Sequence, residues 1–176
     1  MRAAASSSEV WSTGFPPVEP DTARLLILGS LPSVESLRQQ QYYAHPRNAF
    51  WPIMGALFDA GREFPYAHRL ARLSAKGVML WDVLRAAHRP GSLDSAIDPR
   101  QMEANDFSAI FDRHLELKRV VFNGAAAEKL FRRHVLKSGC DGLDEVDLIR
   151  LPSTSPAHAA LSFEEKLAAW ETGLSV

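Results

Sequence analysis

Cysteine is nearly missing from this chain: Cys140 stands alone. That excludes an internal disulfide framework and a metal site built on cysteines, and fits a reducing compartment. Charge of one sign is missing too. With 20 basic against 21 acidic side chains the formal charge is -1, so no broad cationic coat is available for a polyanion, and any contact with nucleic acid must be focal, with a shallow salt dependence. No apolar run approaches the roughly 20 residues that cross a bilayer. Residues 1–8 lack the basic-then-apolar order of a signal peptide. The expectation is a soluble, cytoplasmic protein without a membrane partner. The six histidines are dispersed without ligand spacing, so no metal is expected. Neither G-x-G-x-x-G, G-x-x-x-x-G-K-[ST] nor G-x-S-x-G occurs, which removes the common phosphate loops and the nucleophile elbow.

What is present is an alternation of apolar runs and helical spacings. A chain of 176 residues makes one domain, read over 21–176, behind an Ala/Ser- and Pro-rich arm at 1–20 that is expected to be flexible, with Trp11 and Phe15 as docking points. Arg24–Leu28 reads as a strand buried on both faces and ending at Gly29. Val78–Leu84 reads as a second strand with Asp82 at or just past its end. Arg119–Phe122, closed by Asn123 and Gly124, reads as a third, and Glu145–Leu151 as a fourth. Helices are expected from Pro46 to 59, around Tyr66–Leu73, from an Asn105 cap with Phe107, Ile110, Phe111 and Leu115 on one face, over 125–137, and behind the capping box Ser162-x-x-Glu165. Asp94–Ile97 shows little periodicity and reads as surface loop in a long connection, whose length points mildly to function. The alternation defines an α/β class: a three-layer α/β/α domain around a four-stranded parallel sheet. Such sheets bind ligands at their carboxyl edge, so Gly29, Ser30, Asp82, Asn123 and Ser153 should face one crevice.

The densest stretch is Tyr42-Tyr43-Ala44-His45-Pro46-Arg47-Asn48-Ala49-Phe50-Trp51. It delivers aromatics, an imidazole and an amide at a helix entrance, where backbone N–H groups attract electron-rich groups. The same residues also read simply as a cap with buried aromatics.

Together, the strand ending in Gly29-Ser30-Leu31-Pro32-Ser33, the Tyr43-Ala44-His45-Pro46-Arg47-Asn48-Ala49-Phe50-Trp51 segment and the Pro152-Ser153-Thr154-Ser155-Pro156 loop resemble the uracil-DNA glycosylase superfamily. The resemblance runs from about Arg24 to Trp170 and is strongest to the mismatch-specific and hypoxanthine-DNA (deoxyinosine) glycosylase branches. Most of that family carries a water-activating Asp or Asn in the first loop; Gly29–Ser33 has neither. The hypoxanthine branch shares this departure, and the resemblance then implies Asn48 as the catalytic amide. Leu151 stands where the uracil enzymes have histidine, which favours a purine lesion over uracil.

The resemblance implies a monofunctional, metal- and cofactor-independent enzyme of base excision repair. It would hydrolyse the N-glycosidic bond of a deaminated base in DNA, act as a monomer, and associate with the nucleoid in a prokaryotic cell. Tyr43 would stack on the extruded base and Asn123 would pair with the N1-H and O6 edge of hypoxanthine. The amides of Ser30 and Leu31 would receive a base oxygen. His45 would buttress the loop and Asp82 would line the pocket. Ser153, Thr154 and Ser155 would hold phosphates, with His158 as the wedge into the gap. Two other readings stay open: a hydrolase of a free nucleoside or small ester using Ser30 or Ser33 with His45 and Asp82, and a non-catalytic nucleic-acid-binding module. Within the resemblance, a uracil or mismatch-specific glycosylase is the alternative.

Overall fold

A computed structural model describes residues 11–175. In chain order the elements are β1 (Trp11–Thr13), β2 (Leu25–Gly29), α1 (Val34–Gln39), α2 (Phe50–Phe58), α3 (Tyr66–Ala75), β3 (Val78–Asp82), β4 (Leu84–His88), β5 (Met102–Ala104), α4 (Ser108–Arg113), β6 (Arg119–Asn123), α5 (Ala125–His134), β7 (Asp147–Leu151) and α6 (Phe163–Leu174), with short 3-10 turns at Asp94–Ala96 and Leu136–Ser138.

The central sheet is parallel throughout, in the order β3-β2-β6-β7. Successive side chains of a strand point to opposite faces, and here both faces are covered. Leu26, Leu28, Met79, Trp81, Val120 and Phe122 pack on one side with Phe107 and Phe111 around α4 and Phe131 of α5. Ile27, Val78, Leu80 and Val121 pack on the other with Phe50, Trp51 and Met54 of α2, Leu73 of α3 and Trp170 of α6. This double burial is why the strands read as unbroken apolar runs rather than alternating ones. The α/β/α layering expected from the sequence is the observed one. The capping box also forms: Ser162 accepts from the Glu165 N–H, and the Glu165 carboxylate accepts from the Ser162 N–H.

Several boundaries differ from expectation. Val78–Leu84 is not one strand. At Val83 the chain passes the end of β2, its N–H donating to the Gly29 carbonyl and that of Leu84 to the Ser30 carbonyl. It then enters a second, antiparallel sheet in the order β1-β4-β5. Two of those strands are only three residues long, too short to show a period. The arm expected over 1–20 has its first ten residues outside the described ones. Residues 11–20 are fastened: β1 pairs with β4, Val18 exchanges backbone hydrogen bonds with Leu80, and the Pro16 carbonyl accepts from the Tyr42 hydroxyl.

Asn105 caps no helix. Its Nδ2 donates to the Asp82 carbonyl, and the start of α4 is held by Asp106 Oδ1 accepting from the Ser108 N–H. Leu115 leaves the expected apolar face and is 84% exposed. The helix expected from Pro46 starts at Phe50, because residues 42–49 turn instead, with Tyr43 in the left-handed region at φ 54°. Helix α1, capped by Ser33, has no counterpart in the sequence reading.

Candidate active site

Gly29, Asp82 and Asn123 end three adjacent strands of the parallel sheet, and the loop after β7 supplies Ser153, Thr154 and Ser155. These residues enclose a cavity of about 100 Å³ together with Ser30, Leu31, Tyr43 and Asn48. A single water needs about 10–15 Å³ on this kind of measure, so the space suits a planar heterocycle. The common crevice expected at the carboxyl edge is therefore present.

Thr154 ties the site together. It is buried at 1% exposure; its N–H donates to Asn123 Oδ1, its Oγ1 accepts from Asn123 Nδ2, and its carbonyl accepts from the Ala49 N–H. One residue thus joins the end of β6, the late loop and the aromatic turn. Arg62 clamps that turn from outside, donating to the His45 and Asn48 carbonyls. Within it, Asn48 Oδ1 accepts from the Phe50 N–H at 2.9 Å, which satisfies one of the N–H groups at the start of α2. Tyr43 stacks on Phe50 with centroids 3.9 Å apart, and Phe50 in turn packs edge-on against Trp51 and Trp170. The stacking aromatic at the pocket is therefore backed by the hydrophobic core.

The floor is electrostatically unusual. Asp82 is 3% exposed, and burial pushes its carboxyl up to about 7, with Arg89 opposing and Asp94 reinforcing the shift. Burial, then the neighbouring Asp82, also raises the Tyr43 phenol. Asp82 Oδ2 has no hydrogen-bond partner among the protein groups around it, and the Tyr43 hydroxyl sits beside the Asn123 amide without a hydrogen bond of ordinary geometry. Arg89 is itself buried and donates to the Leu31 and Pro32 carbonyls, which fixes the first loop. Ser30 donates to Asp94 Oδ1, and Ser92 accepts from the Val34 N–H. This brings the connection read as surface loop onto the pocket, where Ser92 and Asp94 join the lining. Without periodicity in 94–97, its length was the only signal of that placement.

Of the residues singled out from sequence, the fold brings together Ser30, Leu31, Tyr43, Asn48, Asp82, Asn123, Ser153, Thr154 and Ser155. His45 lies outside the lining, its Nδ1 accepting from the Arg47 N–H. Thr154 differs from the phosphate contact expected of it, since its hydroxyl is buried and engaged by Asn123. His158 faces a neighbouring groove that includes Ser153, Gly124 and Arg150. Next to that groove, α5, the 3-10 turn after it and β7 present Lys129, Arg132, Arg133, Lys137 and Arg150, partly offset by Glu128, which pairs with Arg132 and Arg150. Arg132, Arg133 and Arg150 thus line a groove that adjoins the one holding His158. Among the described residues no cluster of His, Cys, Asp and Glu has the makings of a metal site, and no helix is long and apolar enough to cross a membrane.

Replacing Asn123 by alanine strands the Thr154 N–H and hydroxyl, at about 1–3 kcal/mol for a buried unsatisfied group. The melting midpoint should therefore fall along with any activity. An unchanged midpoint in calorimetry would show that the Asn123–Thr154 pair does not hold the loop.

The protein is thus a parallel α/β domain with a small, polar pocket, walled in part by Tyr42 and Tyr43, at the carboxyl edge of its sheet. The sequence profile of the Uracil DNA glycosylase superfamily matches residues 16–172, and the chain belongs to that family. It is 42% identical over 112 residues to a hypoxanthine DNA glycosylase of Methanosarcina barkeri, covering 63% of this chain and 70% of the relative. It is 43% identical over 115 residues to the hypoxanthine DNA glycosylase of Methanosarcina acetivorans, covering 65% and 72%. A candidate uracil DNA glycosylase from Methanosarcina acetivorans, solved by solution NMR, superimposes with a TM-score of 0.73 at 34% identity, covering 92% of this chain and 98% of that one.

Proposed function

We propose that this protein hydrolyses the N-glycosidic bond of a deaminated base in DNA, hypoxanthine foremost, leaving an abasic site. The observation that carries the reading is the convergence of Tyr43, Asn48, Asp82 and Asn123 on one enclosed pocket in a chain similar to two hypoxanthine DNA glycosylases. A cavity of about 100 Å³ cannot admit a stacked base pair, so the target base must be extruded, which costs a few kcal/mol and least at mispairs such as inosine opposite thymine.

In this scheme the base lies against Tyr43. Asn48 holds the attacking water at C1′: its Oδ1 keeps a lone pair beyond the one given to Phe50, and its Nδ2 supplies donors. Asn123, fixed by Thr154, presents its remaining donor and acceptor to the base edge. Ser153 and Ser155 meet the phosphates, and His158 enters the gap. The water oxygen bonds to C1′ as the C1′–N bond breaks, the bonding electrons pass to the base, and a water proton ends on the released base. The protein works as a monomer on chromosomal DNA in the cytoplasm.

The test uses duplexes carrying one inosine, uracil or xanthine, incubated with the full chain and then treated with alkali. Cleavage should be fastest on inosine and should require the alkali step. A failure to generate abasic sites on any of the three would overturn the proposal.

The basic ridge beside His158 sharpens the expected salt dependence. The double substitution Arg133→Ser, Lys137→Ser should weaken binding to lesion-bearing and plain duplexes alike, and lower the slope of log K against log salt by about 2. Fluorescence anisotropy at several salt concentrations reads this directly; an unchanged slope would place the DNA elsewhere.

A further inference from the structure

The floor of the pocket holds two buried polar atoms that the scheme above leaves unused. Asp82 Oδ2 and the Tyr43 hydroxyl are both shielded from solvent, and neither makes a hydrogen bond of ordinary geometry within the protein. The Asp82 carboxyl and the Tyr43 hydroxyl both close over Gly29. A Cβ at Gly29 would overlap Asp82 Oδ1 and lie 3.1 Å from the Tyr43 hydroxyl, so the missing side chain is what lets the two groups approach. Unsatisfied buried polar atoms are rare, and each carries a desolvation penalty unless something hydrogen-bonds to it. Two of them together, on residues that line one cavity, point to a ligand edge.

Resting on the proposed function, we propose that Asp82 works as a neutral carboxylic acid that reads the lactam edge (N–H next to C=O) of the extruded base, with the Tyr43 hydroxyl beside it and the carbonyl's second lone pair left to the Asn123 amide donor. In that form one oxygen accepts from the ring N–H while the other donates to the carbonyl oxygen. An ionised carboxylate offers acceptors only. It would also repel the negative charge that reaches the base as the C1′–N electrons move into the ring, whereas a donor aimed at that oxygen strengthens as the charge builds. The Asp82 proton stays shared in the hydrogen bond, so no proton leaves the floor.

The surroundings favour the neutral form. Arg89 is the cation that opposes it, but its guanidinium also serves the Leu31 and Pro32 carbonyls. Asp94 on the pocket wall disfavours a second negative charge. Tyr42, Tyr43 and Tyr66 are the other titratable groups whose phenols feel Asp82. Burial outweighs Arg89 and pushes the carboxyl up to about 7 from the ordinary 3.8 of a free aspartate. Between these two values the folded protein keeps a proton that the unfolded chain has released, so wild-type stability falls as pH rises through that window.

The experiment compares wild type, Asp82→Asn and Asp82→Ala in single-turnover cleavage of an inosine duplex from acid to alkaline pH, with thermal melts alongside. The wild-type rate should fall roughly tenfold per pH unit above the Asp82 transition. Asparagine keeps a donor and an acceptor at every pH, so Asp82→Asn should recover activity to within about tenfold at low pH and lose the alkaline fall, while Asp82→Ala drops by about 10²–10³. The Asn variant should also melt higher than wild type in alkali, with the difference closing in acid. If Asp82→Asn is as inactive as Asp82→Ala, or if its alkaline fall persists, the neutral-acid role is overturned and a carboxylate base takes its place. A wild type inert on all three lesion duplexes overturns the proposed function itself.

Discussion

Asn48→Ala is expected to lose about 10²–10³ in kcat, the effect of removing one preorganised polar group from a reacting centre. Its fold should suffer far less. The group deleted also accepts the Phe50 N–H, so a capping loss of about 1 kcal/mol follows, or about 2–4 °C for a chain of this size. The two effects separate in Asn48→Ser, whose hydroxyl can still receive the Phe50 N–H but is too short to hold water at C1′. Asn48→Ser should restore the melting midpoint and not the rate. A serine variant with near-normal kcat would reduce Asn48 to a cap, the plainer of the two readings its sequence allowed.

Trp51→Ala should produce the largest loss of stability, about 3–5 kcal/mol for a large buried aromatic out of a total near 5–15 kcal/mol. Trp51 is wholly buried. Its indole N–H donates to the Tyr42 carbonyl at 2.9 Å, Phe50 meets its ring edge-on, and the Arg69 guanidinium lies 4.6 Å from its centroid. The substitution therefore opens a cavity and also frees the turn that presents Tyr43. Urea unfolding should show a lower midpoint with little change in slope, and activity should fall at temperatures where the variant is still folded. A midpoint shift under about 1 kcal/mol would mean that the turn is held by Arg62 and Thr154 without the indole.

The sheet was legible in the sequence because strands covered on both faces must be apolar throughout, as at Leu25–Leu28 and Val78–Trp81. Once the strand ends were placed, the gathering of Ser30, Tyr43, Asn48, Asp82 and Asn123 around one crevice followed from topology. The second sheet was not legible, because β1 and β5 gain their order from pairing with β4 rather than from any period of their own. Thr154 was read as a phosphate contact because hydroxyls in a loop carry no mark of burial; its role as a tie depends on Asn123 reaching it across 31 residues. Asp94 was hidden for a related reason. Only the fold brings its 3-10 turn within reach of Ser30. Asp82 was visible as a carboxylate at a strand end, but its raised pKa comes from packing that no local pattern encodes.

The most direct measurement is of the product. An inosine-containing duplex is incubated with the full chain, and the small molecules released are identified by mass and counted against alkali-labile sites. Free hypoxanthine should appear in equal number with abasic sites, on a strand that stays whole until alkali is added. Release of a nucleoside, a strand nicked before alkali, or no free base would contradict the proposed hydrolysis.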